Sequence, residues 1–155
     1  MRTARFLSAV VAAAVFATAC LAADVVGKWT GKMTFENDKG VAVDMKMQGA
    51  SLPTLNLELK ADKTYAGSQT GGPGNTKINT EGTWKLNGNT LTLNPTKRDG
   101  KPTTGEGAKP RIYTLSKDGK SLTIDLTARM KAAVQASGQT KAPALKAKLV
   151  LHRAK

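Results

Sequence analysis

The chain has 155 residues, 24 lysines and arginines against 11 acids, a net charge of +13, one cysteine and one histidine. A single cysteine excludes an intramolecular disulfide, and one histidine without clustered carboxylates excludes a multi-histidine zinc site and a histidine-based triad. No apolar run reaches the roughly 20 residues that a membrane-spanning helix needs, and the length suits one domain.

The first elements read as an export leader. Arg2 and Arg5 form a basic start, Phe6 to Phe16 an apolar core rich in alanine and valine, and Ala17 to Ala23 a small-residue cleavage zone. The expected division is a signal peptide over 1–22 and a mature domain over 24–155, placed in the periplasm or secreted. Ala17-Thr18-Ala19-Cys20 also resembles a bacterial lipobox, so lipidation of Cys20 and anchoring through it stay open as the alternative.

Strands follow, recognised by period-two alternation of apolar and polar residues. Trp29, Met33 and Phe35 share one side of the first, and Val41, Val43, Met45 and Met47 alternate with polar or small residues in the second. Leu55, Leu57 and Leu59 mark the third. Further strands are predicted at Thr64–Ser68 around Tyr65, Ile78–Leu86 around Trp84, Thr90–Leu93, Arg111–Leu115, Ser121–Leu126 and Leu145–Leu151. Such alternation implies one buried and one wetted face, as in an antiparallel sheet.

Asn87-Gly88, Asp118-Gly119 and the short Ala61-Asp62-Lys63 supply tight connections between neighbours. So many strands in one domain favour closure over an open sheet with long bare edges. The expected fold is all-β: an antiparallel up-and-down barrel of eight to nine strands, with a short helix over Ala128–Ala136 before the last strand. Counting each strand once places Gly49–Thr54, the glycine-rich Gln69–Lys77, Pro95–Lys109 and Ala128–Ala144 at one rim and the tight turns at the other. On that count Trp29 lies on the loop-rich side.

Charge is uneven. Between Asp24 and Pro95 eight lysines meet seven acids, whereas from Thr96 to Lys155 fourteen basic residues meet four acids. No acid follows Asp125, while Arg129, Lys131, Lys141, Lys146 and Lys148 do. This half would attract an anionic surface or a polyanion without sequence-specific nucleic-acid recognition, or would serve as a solvated face.

With Gly27-Lys28-Trp29 on the first strand, a meander of about eight strands, a helix after it and a final strand, the chain resembles a lipocalin, or one of the lipocalin-like exported bacterial domains of the calycin group. Gly82-Thr83-Trp84 repeats the short motif inside the domain. The resemblance implies a barrel over Val25–Arg153 in which Trp29 packs at one end beneath an arginine that follows the eighth strand, here Arg129, with Arg153 as the other candidate. It also places the ligand mouth at the end away from Trp29, in conflict with the loop count above.

The remaining chemistry is sparse. His152 is expected to be an exposed strand residue; Glu36 and Asp38 are too few for a calcium loop; Gly71-Gly72-Pro73-Gly74 lacks the lysine and helix of a phosphate loop. No metal, cofactor or catalytic residue is expected. The leading expectation is an exported, non-enzymatic binder of a small apolar or amphipathic molecule, with Met45, Leu57, Tyr65, Trp84, Arg111 and Tyr113 facing it. Arg111, in phase with Tyr113 and Leu115, would offer a cation to an acidic head or lie in solvent at the rim. The alternative is an interaction scaffold with a filled barrel and a basic surface.

Overall fold

A computed structural model describes residues 25–37, 39–43, 51–136 and 145–154. The predicted export leader with Cys20, Asp38, the part of the predicted second strand that carries Met45 and Met47, the predicted helix stop at Ser137-Gly138, Lys141 and Pro143 lie outside the described residues. In chain order the elements are β1 (Gly27–Glu36), β2 (Ala42–Val43), β3 (Ser51–Leu59), β4 (Thr64–Gly72), β5 (Lys77–Asn87), β6 (Thr90–Arg98), β7 (Lys101–Pro102), β8 (Arg111–Leu115), β9 (Ser121–Asp125), the helix α1 (Thr127–Ala136) and β10 (Lys146–Arg153).

These strands form one antiparallel barrel. Its eight staves run β1-β3-β4-β5-β6-β8-β9-β10, and β10 closes on β1 over eight residue pairs, from Trp29 opposite Arg153 to Glu36 opposite Lys146. Closure leaves no long free edge among the staves. A salt bridge from Lys148 Nζ to Glu36 Oε2 at 2.8 Å fastens the seam where β10 begins. At Gly31 the seam is so tight that a Cβ would be driven into the carbonyl oxygen of Val150.

The structure corrects the loop count. β2 is not a stave: its two residues pair with the last two of β1, while β3 takes the same edge of β1 from Gly27 to Lys32. With one strand fewer between β1 and β3, every later connection changes ends. Trp29 therefore sits at the end closed by the tight turns after β3, β5 and β8, and the long connections gather at the opposite end. Alternation alone could not see this, because Val41 and Val43 show a strand's pattern whether or not a barrel has room for another full stave.

Three staves also run further toward the loop-rich rim than the alternation suggested. β3 begins at Ser51 and carries Pro53 beside a register shift between Ser51 and Thr54, the kind of irregularity that tolerates a residue without an N–H. β4 extends through Gly71-Gly72, and β6 continues past Pro95 to Arg98. In β6, Gly82 faces Pro95 and Glu81 faces Lys97, so Thr96 is a bulge; its Oγ1 donates to the Glu81 carbonyl.

α1 forms where expected. The Asp125 carboxylate accepts the Thr127 N–H at 2.8 Å, and hydrogen bonding from Thr127, its hydroxyl first and its backbone N–H second, holds the carboxyl below its usual range. The Thr127 hydroxyl accepts the Ala147 N–H, and the Leu126 N–H donates to the Ala147 carbonyl. These contacts pin the start of the helix to β10 at the loop-rich rim.

Candidate functional site

The barrel is filled at one end and hollow at the other. At the tight-turn end Trp29, Leu59, Leu91, Leu122 and Leu151 are essentially inaccessible, packed with Leu57, Tyr65, Trp84 and Leu93. Both tryptophans have satisfied indoles: Trp29 Nε1 donates to the Val25 carbonyl at 2.9 Å, and Trp84 Nε1 to the Lys60 carbonyl at 3.0 Å. Each also carries a cation on its ring, Arg153 at 5.3 Å from the Trp29 centroid and Lys63 at 3.9 Å from that of Trp84.

Arg153, not Arg129, is thus the arginine over the motif tryptophan. β10 runs antiparallel to β1, so the end of the last strand meets the start of the first, and Trp29 and Arg153 are direct partners in the ladder. Arg129 stands at the opposite rim, where α1 begins.

A cavity of about 330 Å³ occupies the loop-rich half. This is near the lower limit of ordinary small-molecule sites, which run to about 1,000 Å³. Met33, Pro53, Leu55, Ile78, Ile124, Leu126, Met130 and Leu149 supply an apolar wall, interrupted by Gln69, Thr80 and Tyr113 and by three guanidinium groups, Arg98, Arg111 and Arg129. A second hollow, of about 570 Å³, lies along outward-facing residues such as Lys28, Thr30, Asn56, Glu58 and Glu81. It is a groove on the barrel wall and does not enclose an apolar ligand.

Of the residues that the sequence pointed to, Arg111 and Tyr113 line the cavity. Leu57, Tyr65 and Trp84 belong to the packed half instead, because their strands carry them below the level at which the interior opens. Met45 lies outside the described residues. His152 is exposed and pairs with Thr30 across the β1–β10 seam. Among the described residues no group of histidine, cysteine, aspartate and glutamate side chains is placed to hold a metal ion.

Arg98 was not foreseen. Leu91, Leu93 and Pro95 share the inward phase of β6, which would carry Lys97 inward next; the bulge at Thr96 shifts the phase by one and brings Arg98 to the cavity, opposite Thr80. A proline followed by two polar residues and a β-branched threonine gave no periodic signal of this.

Burial pushes the Tyr113 phenol up to about 12, against the charge and hydrogen bonding of Arg111. Burial also raises that of Tyr65, again opposed by Arg111. Both are protonated at neutral pH. The raised value belongs to the folded state, so the unfolded chain loses the Tyr113 proton first; stability is intact below the ordinary value of 10.0 and falls as pH rises toward about 12. The expected loss over that window is about 2 to 3 kcal/mol, and Tyr113→Phe should make the alkaline limb of a denaturation-versus-pH curve shallower. An unchanged limb would show that Tyr113 is not the buried phenol responsible.

The family model described as "Lipocalin-like domain" matches residues 25–124, from the start of the barrel into β9. No curated protein matches the chain. The helix, β10 and both arginines discussed above, Arg129 and Arg153, lie beyond the matched segment.

Proposed function

Because the chain belongs to the lipocalin-like domain family, we propose that it is an exported binding protein for a small apolar or amphipathic molecule held in the open half of the barrel. The family's barrel supports small-ligand binding in general. The observation that carries the reading for this chain is the division of its interior: bulky side chains fill the tight-turn half, and an apolar cavity is left where the long connections gather. A barrel that served only as a scaffold gains stability by filling both halves, since apolar space without partner atoms forfeits dispersion contacts. Export rests on the basic and apolar leader at 1–22, and action by binding rather than catalysis on the family and on the chain's sparse catalytic chemistry.

Native mass spectrometry after gentle purification, followed by titration with the neutral dye Nile red, tests the proposal. One dye should bind per chain, saturably, and Ile78→Trp should abolish binding while the protein stays folded, because the indole would occupy the cavity. The same spectra read the leader: a chain beginning near Ala23 or Asp24 supports free export, and an acylated Cys20 supports the anchored form. No saturable dye binding by the folded protein, together with salt-sensitive co-sedimentation on anionic vesicles, would replace the binding reading with that of a basic scaffold. Lys148 contributes less to such a surface than its position suggests, since Glu36 already pairs with it.

A further inference from the structure

The cavity holds an imbalance of charge that an apolar ligand would leave uncompensated. Three guanidinium groups stand on its wall and no carboxylate does, among the described residues. Two of the three are partly answered at the rim: Arg98 lies 4.0 Å from the half-exposed carboxylate of Asp99, and Arg129 feels Glu106, which is itself held by Lys109. Arg111 has no carboxylate within ion-pair distance among the described residues.

Arg111 is also the deepest of the three. In the ladder it stands opposite Leu93, which in turn faces Trp84, whereas Arg98 is opposite Thr80, four positions nearer the mouth along β5. It therefore rises from the boundary between the filled and the hollow halves, half-buried, while Arg98 and Arg129 are exposed. Removing a guanidinium from water is costly unless an anion or several acceptors meet it.

Arg111 donates to the Tyr113 oxygen, while the remaining N–H groups of the guanidinium and the phenolic O–H meet no carboxylate on the cavity wall among the described residues. Just below, in the packed half, the Tyr65 hydroxyl is buried without a well-formed hydrogen bond among the described residues, the Thr80 side chain lying beside it. Tyr113 lines the cavity beside Arg111, and its phenol keeps its proton. A guanidinium with one or two phenolic O–H groups makes a converging donor set suited to an oxyanion, and charge-assisted hydrogen bonds are the strong ones.

Resting on the binding reading above, we propose that the ligand is a small amphipathic carboxylic acid, bound head-inward with its carboxylate on Arg111 and Tyr113 and its apolar part along Met33, Ile78, Ile124 and Met130 beneath α1. Arg98 and Arg129 then act at the mouth, drawing the anion in without fixing it. The small volume sets the length: short and medium chains fit, long-chain lipids protrude. A neutral ligand would leave Arg111 and the phenols unmatched, so selectivity for the acid arises from the cost of the unpaired groups as much as from the pairing itself.

Displacement of bound Nile red by decanoate, decanol and decylamine tests this. Decanoate should displace the dye roughly tenfold to a hundredfold more effectively than decanol, and decylamine least of the three. Arg111→Met should bring decanoate and decanol together, weakening decanoate and strengthening decanol, which no longer leaves a guanidinium unpaired; Arg111→Gln serves the same purpose if the methionine variant does not fold. The double variant R98Q/R129Q should slow association and keep the preference, because rim charges act mainly on the on-rate. Equal displacement by decanoate and decanol from the parent protein, or a preference that survives loss of Arg111, overturns the acid-head assignment and leaves the binding reading standing. Failure of Nile red itself to bind overturns both.

Discussion

Replacing Trp29 by alanine should lower the unfolding free energy by about 3 to 5 kcal/mol, the usual cost of deleting a buried large aromatic. Trp29 is 1% exposed and plugs the tight-turn end of the barrel. Its loss opens a void among side chains that already interdigitate, frees the Val25 carbonyl from its indole partner, and leaves Arg153 without a ring beneath it. Urea denaturation of the parent, Trp29→Ala and Arg153→Ala separates these effects. The arginine variant should cost only about 0.5 to 2 kcal/mol, the range of a cation over an aromatic face. A loss below about 1 kcal/mol for Trp29→Ala would contradict its role as the plug. Dye binding by the folded fraction should survive, because the cavity lies in the other half.

Gly82→Ala should destabilise the protein by about 3 kcal/mol or more, above the usual cost of an added methyl in a packed core. A Cβ at Gly82 would run into the Asn94 carbonyl oxygen and come within 2.8 Å of the Tyr65 ring. Both obstacles are held in place, the first by the β5–β6 ladder next to the Thr96 bulge and the second by the core. Gly27, the glycine of the other Gly-x-Trp, behaves differently: its φ of +137° favours glycine, yet a Cβ there would meet nothing. Gly27→Ala should therefore cost about 1 to 3 kcal/mol through backbone strain alone. If chemical denaturation shows Gly82→Ala to be within about 0.5 kcal/mol of the parent, the tight approach of β6 to β5 is not what stabilises this wall.

Most staves were legible in the sequence because a barrel wall has one buried and one wetted face. Leu55, Leu57 and Leu59, or Leu91 and Leu93, report that geometry residue by residue, and Asn87-Gly88 and Asp118-Gly119 report the turns, where Gly88 and Gly119 adopt positive φ. The helix was legible for a similarly local reason, a run of good helix formers after Asp125. The shared phase of Arg111 and Tyr113 was legible because β8 keeps an unbroken period of two, but phase alone left Arg111 either inside or in solvent at the rim, and only the assembled barrel puts both in a cavity wall. In all these cases a property of neighbours along the chain carries the information.

What followed from pairing between distant segments was not legible. Whether Ala42 and Val43 begin a stave between β1 and β3 depends on which strand occupies the edge of β1, and that choice alone decides at which end Trp29 and the long loops fall. Arg153 rather than Arg129 covers Trp29 because closure joins the last strand to the first, a contact between residues 124 positions apart that no local pattern records. Arg98 reaches the cavity through a single unpaired threonine. The division of the interior into a packed and a hollow half depends on the relative levels of side chains on eight staves. The sequence by itself therefore determined the strands, the turns, the helix and the phase that Arg111 shares with Tyr113; register and closure, which are properties of paired strands and not of either strand alone, decided the end that opens and the cations that line it.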